Sequence, residues 1–277
     1  MVSSKEPIFF FDSSQPEMVQ ANERARETFK FFWRELSWER RRIIPGLDLA
    51  CVKLPFSDDE NFYETMNADD VEQMWLQDVD FDGKNISGRL LNSPNWLKSI
   101  KAGDFVNVPF GMMSDWMYAC QGDVFGAFTV NVIRAQMPKA ERKSHDNAWG
   151  LNFGDPYKLR VAYTDAGPKT KKWSLFGRKD SADSIITYED RDKAGEHPMS
   201  DNMGPSLQDA LKQDPSLLDF ADENGFTFLH QLAMAGSFAG VKVLLDSGAD
   251  KEKLTVHGMT AKELAEFFKW EKVVKLL

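Results

Sequence analysis

The stretch Asp222-Glu223-Asn224-Gly225-Phe226-Thr227-Phe228-Leu229-His230 opens a unit that Val241-Lys242-Val243-Leu244-Leu245-Asp246-Ser247-Gly248 closes. Its glycine and threonine return thirty-three positions on, in Gly258-Met259-Thr260-Ala261-Lys262-Glu263-Leu264-Ala265. Each residue has a physical role. Gly225 and Gly258 suit a turn that needs positive φ. Thr227 and Thr260 can cap the helix that follows. Ala233, Ala235 and Gly236 let neighbouring helices approach closely. Val241, Val243, Leu244 and Leu245 give the second helix a buried face, and Gly248 ends it.

This period and the run Thr227-Phe228-Leu229-His230 resemble the ankyrin repeat and its Thr-Pro-Leu-His signature. Phe228 and Ala261 stand where the consensus has proline, and Glu263 where it has histidine. Upstream, residues 206–213 and 215–218 read as a degenerate first helix pair, which makes about two repeats plus a cap. That is fewer than the three or so needed for independent stability, so the array is expected to pack on the rest of the chain. The resemblance implies a protein-binding surface on the turn tips and first helices. Mapped here, the partner-binding residues are Glu223, Asn224, Phe226, Gln231, Met234, His257, Met259 and Glu266, with Phe226 and Met259 expected to be exposed; the other reading packs both under the N-terminal domain.

The chain has 277 residues, 42% hydrophobic and 12% aromatic, enough for a sizeable core, and a net charge of −9. An acidic surface argues against general affinity for nucleic acid or anionic membranes. The N-terminus lacks an apolar core of signal-peptide type, and no apolar run reaches transmembrane length. Cys51 and Cys120 make no metal-type spacing and read as buried thiols of a cytoplasmic protein.

Residues 7–11 read as a strand and Ser13 or Ser14 as the cap of a helix. In that helix Met18, Ala21, Ala25, Phe29, Phe32 and Leu36 recur at steps of three and four. The run Arg40-Arg41-Arg42 reads as a solvated helix end, with an anion clamp as the other reading. Strands follow at 47–54, 72–79 and 86–91, with Asp82-Gly83 as a hairpin turn. Ser93-Pro94 is expected to start a short helix that buries Trp96, Leu97 and Ile100. Residues 104–108 read as a strand, 111–117 as a tight turn or a single helical turn, and 124–134 as a longer strand with Val124, Phe128, Val130 and Val132 on one face. Residues 140–149 are expected to be helical, 158–163 and 184–188 to be strands, and the basic segment 167–179 to be a hairpin or loop. Residues 189–205 read as a connector.

Several short motifs appear in order before residue 136. They are Met18, Ala21, Ala25 and Phe29; Met74-Trp75; Gly88-Arg89-Leu90-Leu91-Asn92-Ser93-Pro94; Gly103-Asp104-Phe105-Val106; and Ser114-Asp115-Trp116-Met117. Together they resemble the YegJ-like family of bacterial domains over residues 7–135, a resemblance that implies no reaction. Asp115 and Trp116 read either as a buried carboxylate accepting backbone donors beside a core indole, or as a ligand-contacting pair at a cleft mouth.

Other signals of chemistry are sparse. Asp78, Asp80, Asp82 and Gly83 mimic the start of a calcium loop, but the twelfth position is Arg89 in place of glutamate. None of His145, His197, His230 and His257 has a His or Cys at metal-ligand spacing. His145 with Glu141 and Asp146 is the one acid/base candidate. Ser114, Ser181 and Ser184 lack a nucleophile-elbow context, and no phosphate loop or dinucleotide fingerprint occurs.

The expected architecture is α+β: a curved antiparallel sheet with packed helices over 1–136, an extension and connector over 137–203, and an all-α ankyrin unit over 204–277. The expected function is non-enzymatic protein binding in a bacterial cytoplasm, sharpened to an immunity-type antagonist of a toxin or effector. The alternatives are an enzyme with its site near Asp115, or a scaffold. No cofactor and no metal are expected.

Overall fold

The computed structural model describes residues 15–65, 71–163 and 185–277. The stretch 7–11, the Ser13/Ser14 cap, the basic segment 167–179, Ser181 and Ser184 lie outside the described residues.

Helix α1 (Pro16–Glu39) starts with Pro16 in its first turn, where a missing N–H costs nothing. Met18, Ala21, Ala25, Phe29 and Phe32 are buried, as their spacing predicts, and Leu36 is half-buried. That spacing accounts for one stripe only. From Thr28 to Trp38 nearly every residue is buried, including Phe31, Trp33, Arg34 and Glu35. A helix covered on all sides lies between two layers. On one side Phe32 meets Trp116 of the sheet at 5.9 Å between ring centres. On the other, Phe31 meets Trp270 at 6.3 Å and Phe29 meets Phe268 at 6.1 Å.

The sheet is built from β1 (Leu49–Phe56), β2 (Glu72–Phe81), β3 (Asn85–Leu90), β4 (Phe105–Pro109), β5 (Asp115–Cys120) and β6 (Asp123–Gly126), with the short helix α2 (Phe62–Thr65) after β1. Its order is β4-β3-β2-β1-β5-β6, and every neighbouring pair is antiparallel. Asp78, at φ 52°, sits where the β2–β3 register shifts, a bulge of the kind that bends a strand. The Asp82 carboxylate closes the following turn by accepting from the Lys84 and Asn85 N–H groups. One face of the sheet, with Val52, Leu54, Leu76, Ile86 and Trp116, belongs to the core that includes α1. The other face, with Cys51, Trp75, Met117 and Val124, is covered by Val130 and Phe153.

Three expectations are corrected. Residues 124–134 are not one strand: β6 ends at Gly126, and helix α3 (Phe128–Gln136) follows at once. Gly126 and Ala127 both take positive φ, 75° and 56°, and so reverse the chain. At Gly126 a Cβ would meet the Trp116 carbonyl at 2.3 Å, so no other residue fits. The β-branched residues here favour a strand locally; the helix forms because its first N–H groups find a carboxylate on β5. Residues 93–100 are likewise not a helix. The Glu72 carboxylate takes the Asn95 N–H and side-chain amide, and Asp58 takes the N–H groups of Lys98 and Ser99. The Lys98 and Ser99 N–H groups, which a helix from Ser93 would give to the Pro94 and Asn95 carbonyls, go to Asp58 instead, and Leu97 is buried while Trp96 is 39% exposed. Finally, helix α5 (Met199–Gln213) begins inside the stretch read as a connector, with Pro205 in its interior.

Helix α4 (Lys139–Trp149) and the two-stranded pair β7 (Arg160–Tyr163) and β8 (Ile185–Thr187) complete the first part. After α5 come α6 (Phe228–Met234), α7 (Phe238–Asp246), α8 (Ala261–Phe267) and α9 (Glu271–Val274). Thr227 and Thr260 each cap their helix through a capping box, with His230 and Glu263 as reciprocal partners. In the first box His230 Nδ1 accepts from the Thr227 N–H, which leaves Nε2 to donate to the Lys253 carbonyl, 3.0 Å away. Trp270 Nε1 donates to the Met234 carbonyl, and its ring fills the space a side chain on Gly236 would need.

Candidate interaction site

Residues 219–226 and 252–259 form two parallel fingers that precede α6 and α8. Asp222 shapes the first by accepting from the Asn224 and Phe226 N–H groups. The Val256 N–H donates to the Asn224 carbonyl, and Lys253 Nζ donates to the Asp219 carbonyl, so the fingers are tied side by side.

Their inner side, with the helices behind it, is not open. Arg41 of the chain following α1 donates to the Gln231 side chain at 3.1 Å. His257 Nε2 lies 3.0 Å from Asp82 Oδ2. A Cβ on Gly83 would stand 2.8 Å from Met259 Sδ, so the second finger rests on the β2–β3 turn. Phe267 stacks on Phe81 and meets Phe110 edge-on, at 5.2 and 5.1 Å. Phe226 is only 5% exposed and Met234 is buried. The expectation that Phe226 and Met259 are exposed is therefore corrected: Phe226 is buried, and Met259 is half-buried against the hairpin. The physical reason is apolar burial: Phe226 belongs to, and Met259 packs against, the continuous core that also holds Phe29, Phe81 and Phe268, and Phe226 meets His230 edge-on at 6.0 Å. Of the mapped partner-binding residues, Glu223 and Glu266 remain exposed and Asn224 is half-buried.

The outer side of the fingers was not singled out from the sequence. Phe220, Leu254 and Val256 are 58%, 56% and 62% exposed there. A signal existed: Leu254 and Val256 flank the buried Thr255 with period two, so when Thr255 points in they point out.

Asp115 and Trp116, one reading of which placed them at a cleft mouth, are wholly buried. Asp115 Oδ1 accepts from the N–H groups of Trp116 and Phe128, and Oδ2 from the N–H and hydroxyl of Thr129. The Thr129 hydroxyl also accepts from Lys53 Nζ, 2.8 Å away, beneath the Trp75 ring. Burial pushes the Asp115 carboxyl up and the Lys53 ammonium down from their ordinary values. Trp116 Nε1 donates to the Ala25 carbonyl of α1. The pair thus holds β5, α3 and α1 together. A shallow depression of about 680 Å³ beside β4, lined by Phe56, Tyr63, Ile100, Asp104 and Asn107 among others, touches neither of them.

The charged groups around His145, Arg40 and Arg34 have partners of their own. His145 Nδ1 lies 3.0 Å from Asp146, whose carboxylate is gripped at both oxygens by the buried Arg134. Arg40 reaches Asp80 and the Val79 carbonyl, and Arg42 reaches Glu39, so the basic run pins its own loop while the Arg40–Asp80 pair stays open to solvent. Buried Arg34 pairs with Glu35, which also meets His197 at 3.2 Å. Burial alone would raise the Glu35 carboxyl, but Arg34 and His197 bring it down to about 2. No group of His, Cys, Asp and Glu among the described residues is arranged to hold a metal ion. No helix among them is long and apolar enough to cross a membrane.

A mixed sheet-and-helix unit organised around a buried Asp115 and Trp116 is the part of the chain that a family model recognises. Residues 15–153, half of the chain, match the family DUF2314, described as an uncharacterized protein conserved in bacteria, and the chain belongs to that family. The match runs past residue 135 to take in α4 and Phe153. The chain is also similar along nearly its whole length to the Neisseria meningitidis serogroup B protein named "Putative ankyrin repeat protein", at 37% identity over 270 residues, 98% of this chain and 96% of that one. Similarity to the Escherichia coli K12 protein YegJ, named as uncharacterized, is partial: 26% identity over 94 residues, 34% of this chain and 56% of that one. No solved structure matches.

Proposed function

We propose that the protein acts by binding another protein through its C-terminal helical region, which we read as a short ankyrin array over residues 204–277. The observation that carries this is the pair of fingers, thirty-three residues apart, braced against each other and presenting large apolar side chains to solvent. The ankyrin name carried by the Neisseria relative supports it. The two thiols, Cys51 and Cys120, are free and buried, which suits a cytoplasmic setting. The enzyme reading loses its starting point, because every hydrogen-bonding position described for the Asp115 carboxylate is filled from within the chain.

The finer reading is that the partner is a toxin or effector which this protein neutralises. Its support is an analogy with small acidic bacterial proteins that carry isolated repeat units.

The test is affinity purification of the tagged full chain from the cells that encode it, followed by mass spectrometry and calorimetry with the purified partner. A stoichiometric complex with a Kd of about 1 μM or tighter supports protein binding. Absence of any saturable partner sinks it. Co-expression with the partner then decides the finer reading: relief of a growth defect supports antagonism, and an unrelieved defect or a harmless partner removes it.

A further inference from the structure

We infer that the docking surface is the outer side of the two fingers, and that it takes a segment of partner protein in which cations flank apolar side chains. The inference rests on the protein-binding reading and adds to it the face and the chemistry of what it holds.

The inner side is excluded by its own contacts. Gln231, Met234, His257 and Met259 are turned to Arg41, the aromatic core and the β2–β3 turn. Leu254 and Val256 flank the buried Thr255 on one finger, and Phe220 stands on the other with its ring 6.3 Å from Phe228. One residue beyond the Lys253–Asp219 bridge, in each finger, stand Phe220 and Leu254, both more than half exposed. Val256 follows at the point where its N–H meets the Asn224 carbonyl. The hydrogen bonds between the fingers fix the backbone that carries these side chains before any partner binds, which lowers the entropic cost of association.

The charge around them selects the occupant. Asp219, Glu223 and Glu252 are exposed carboxylates on the same two fingers, against the cation Lys253, which faces Asp219. Lys253 is already engaged, with its ammonium 3.0 Å from the Asp219 carbonyl and 3.7 Å from the Asp219 carboxylate. Asp222 is not available, since its carboxylate shapes the first turn. An anionic segment is repelled here. A cationic one is drawn in and covers the apolar row.

The experiment uses the full chain and two labelled peptides, one alternating lysine with leucine and one alternating glutamate with leucine, followed by fluorescence anisotropy at about 0.15 M salt. The lysine peptide is expected to bind and the glutamate peptide not. The Phe220→Ser, Leu254→Ser, Val256→Ser triple variant should weaken binding at least tenfold. The Asp219→Asn, Glu223→Gln variant should weaken it several-fold. A control that removes carboxylates from other surfaces, Glu141→Gln with Glu271→Gln, should bind like the parent. Should the triple variant melt early, Leu254→Ser and Val256→Ser are measured singly. The inference is overturned if the lysine peptide does not bind, if the apolar variants bind like the parent, or if the control weakens binding as much as the finger variants. A purified partner whose affinity ignores the triple variant also overturns it, while leaving the protein-binding reading intact.

Discussion

His257 Nε2 lies 3.0 Å from Asp82 Oδ2, which ties the tip of the second finger to the turn between β2 and β3. Burial would raise the Asp82 carboxyl, but the Asn85 and Lys84 N–H groups, the Asn85 amide and His257 together hold it below its ordinary value. Replacing His257 by Ala is expected to lower stability by about 1 kcal/mol, the usual worth of one partly exposed bond to a charged group. Urea unfolding at neutral pH measures this, and an unchanged midpoint would show that the finger does not lean on the turn.

Asp115 is the acceptor that makes α3 a helix. Asp115→Ala leaves the N–H groups of Phe128 and Thr129 without an acceptor, and removes the anion near Lys53. The expected loss is about 3–5 kcal/mol, in the range for breaking a buried charged network. Denaturant unfolding of whatever soluble protein is recovered tests it. A loss under about 1 kcal/mol would mean that the helix is capped by other means.

Glu35 sets the acid limit of stability. Its folded value of about 2 lies below its ordinary 4.5, so its contribution is complete above about pH 4.5 and is lost as pH falls towards 2. The depression corresponds to roughly 3 kcal/mol. Glu35→Gln should destabilise the protein at neutral pH by leaving Arg34 buried without its carboxylate, and should flatten the fall in stability between pH 4.5 and 2. A variant whose acid limb is as steep as the parent's would refute this assignment.

Pro205 stands inside α5 with its side chain exposed. It has no N–H to give to the Asp201 carbonyl one turn back. Pro205→Ala restores that donor and should raise stability by about 1–3 kcal/mol, given the size of the proline penalty. Thermal melting reads it, and a lower melting temperature would mean that the proline is needed for the fit of α5 against α7.

The C-terminal helices are expected to depend on α1. Phe268 is buried against Phe29, Trp33 and Phe81, and Trp270 against Phe31. Expressed alone, residues 199–277 lose all of these partners. Circular dichroism should show no cooperative melt, and a sharp transition would establish that the region folds by itself.

What the sequence determined by itself was local. Thr227 and Thr260 cap helices with partners three residues away, and Asp82 folds a turn from the residues beside it, so their spacing alone reveals them. The stripe from Met18 to Phe32 announces a buried face for the same reason, as does the interior role open to Asp115 beside Trp116. What only the tertiary structure decided was where long-range partners lie. The second buried side of α1 appears only when Phe268 and Trp270 are brought to it across more than two hundred residues. The helix at Phe128 exists because Asp115 reaches its first N–H groups, which have no partner inside a helix, and residues 93–100 stay irregular because Asp58 takes the Lys98 and Ser99 N–H groups that a helix would give to the Pro94 and Asn95 carbonyls. Phe226 reads as exposed in a repeat and is buried here, edge-on to His230 within the chain's own apolar core. A spacing rule sees neighbours along the chain, whereas hydrogen-bond satisfaction and apolar burial are settled by whatever the fold brings near.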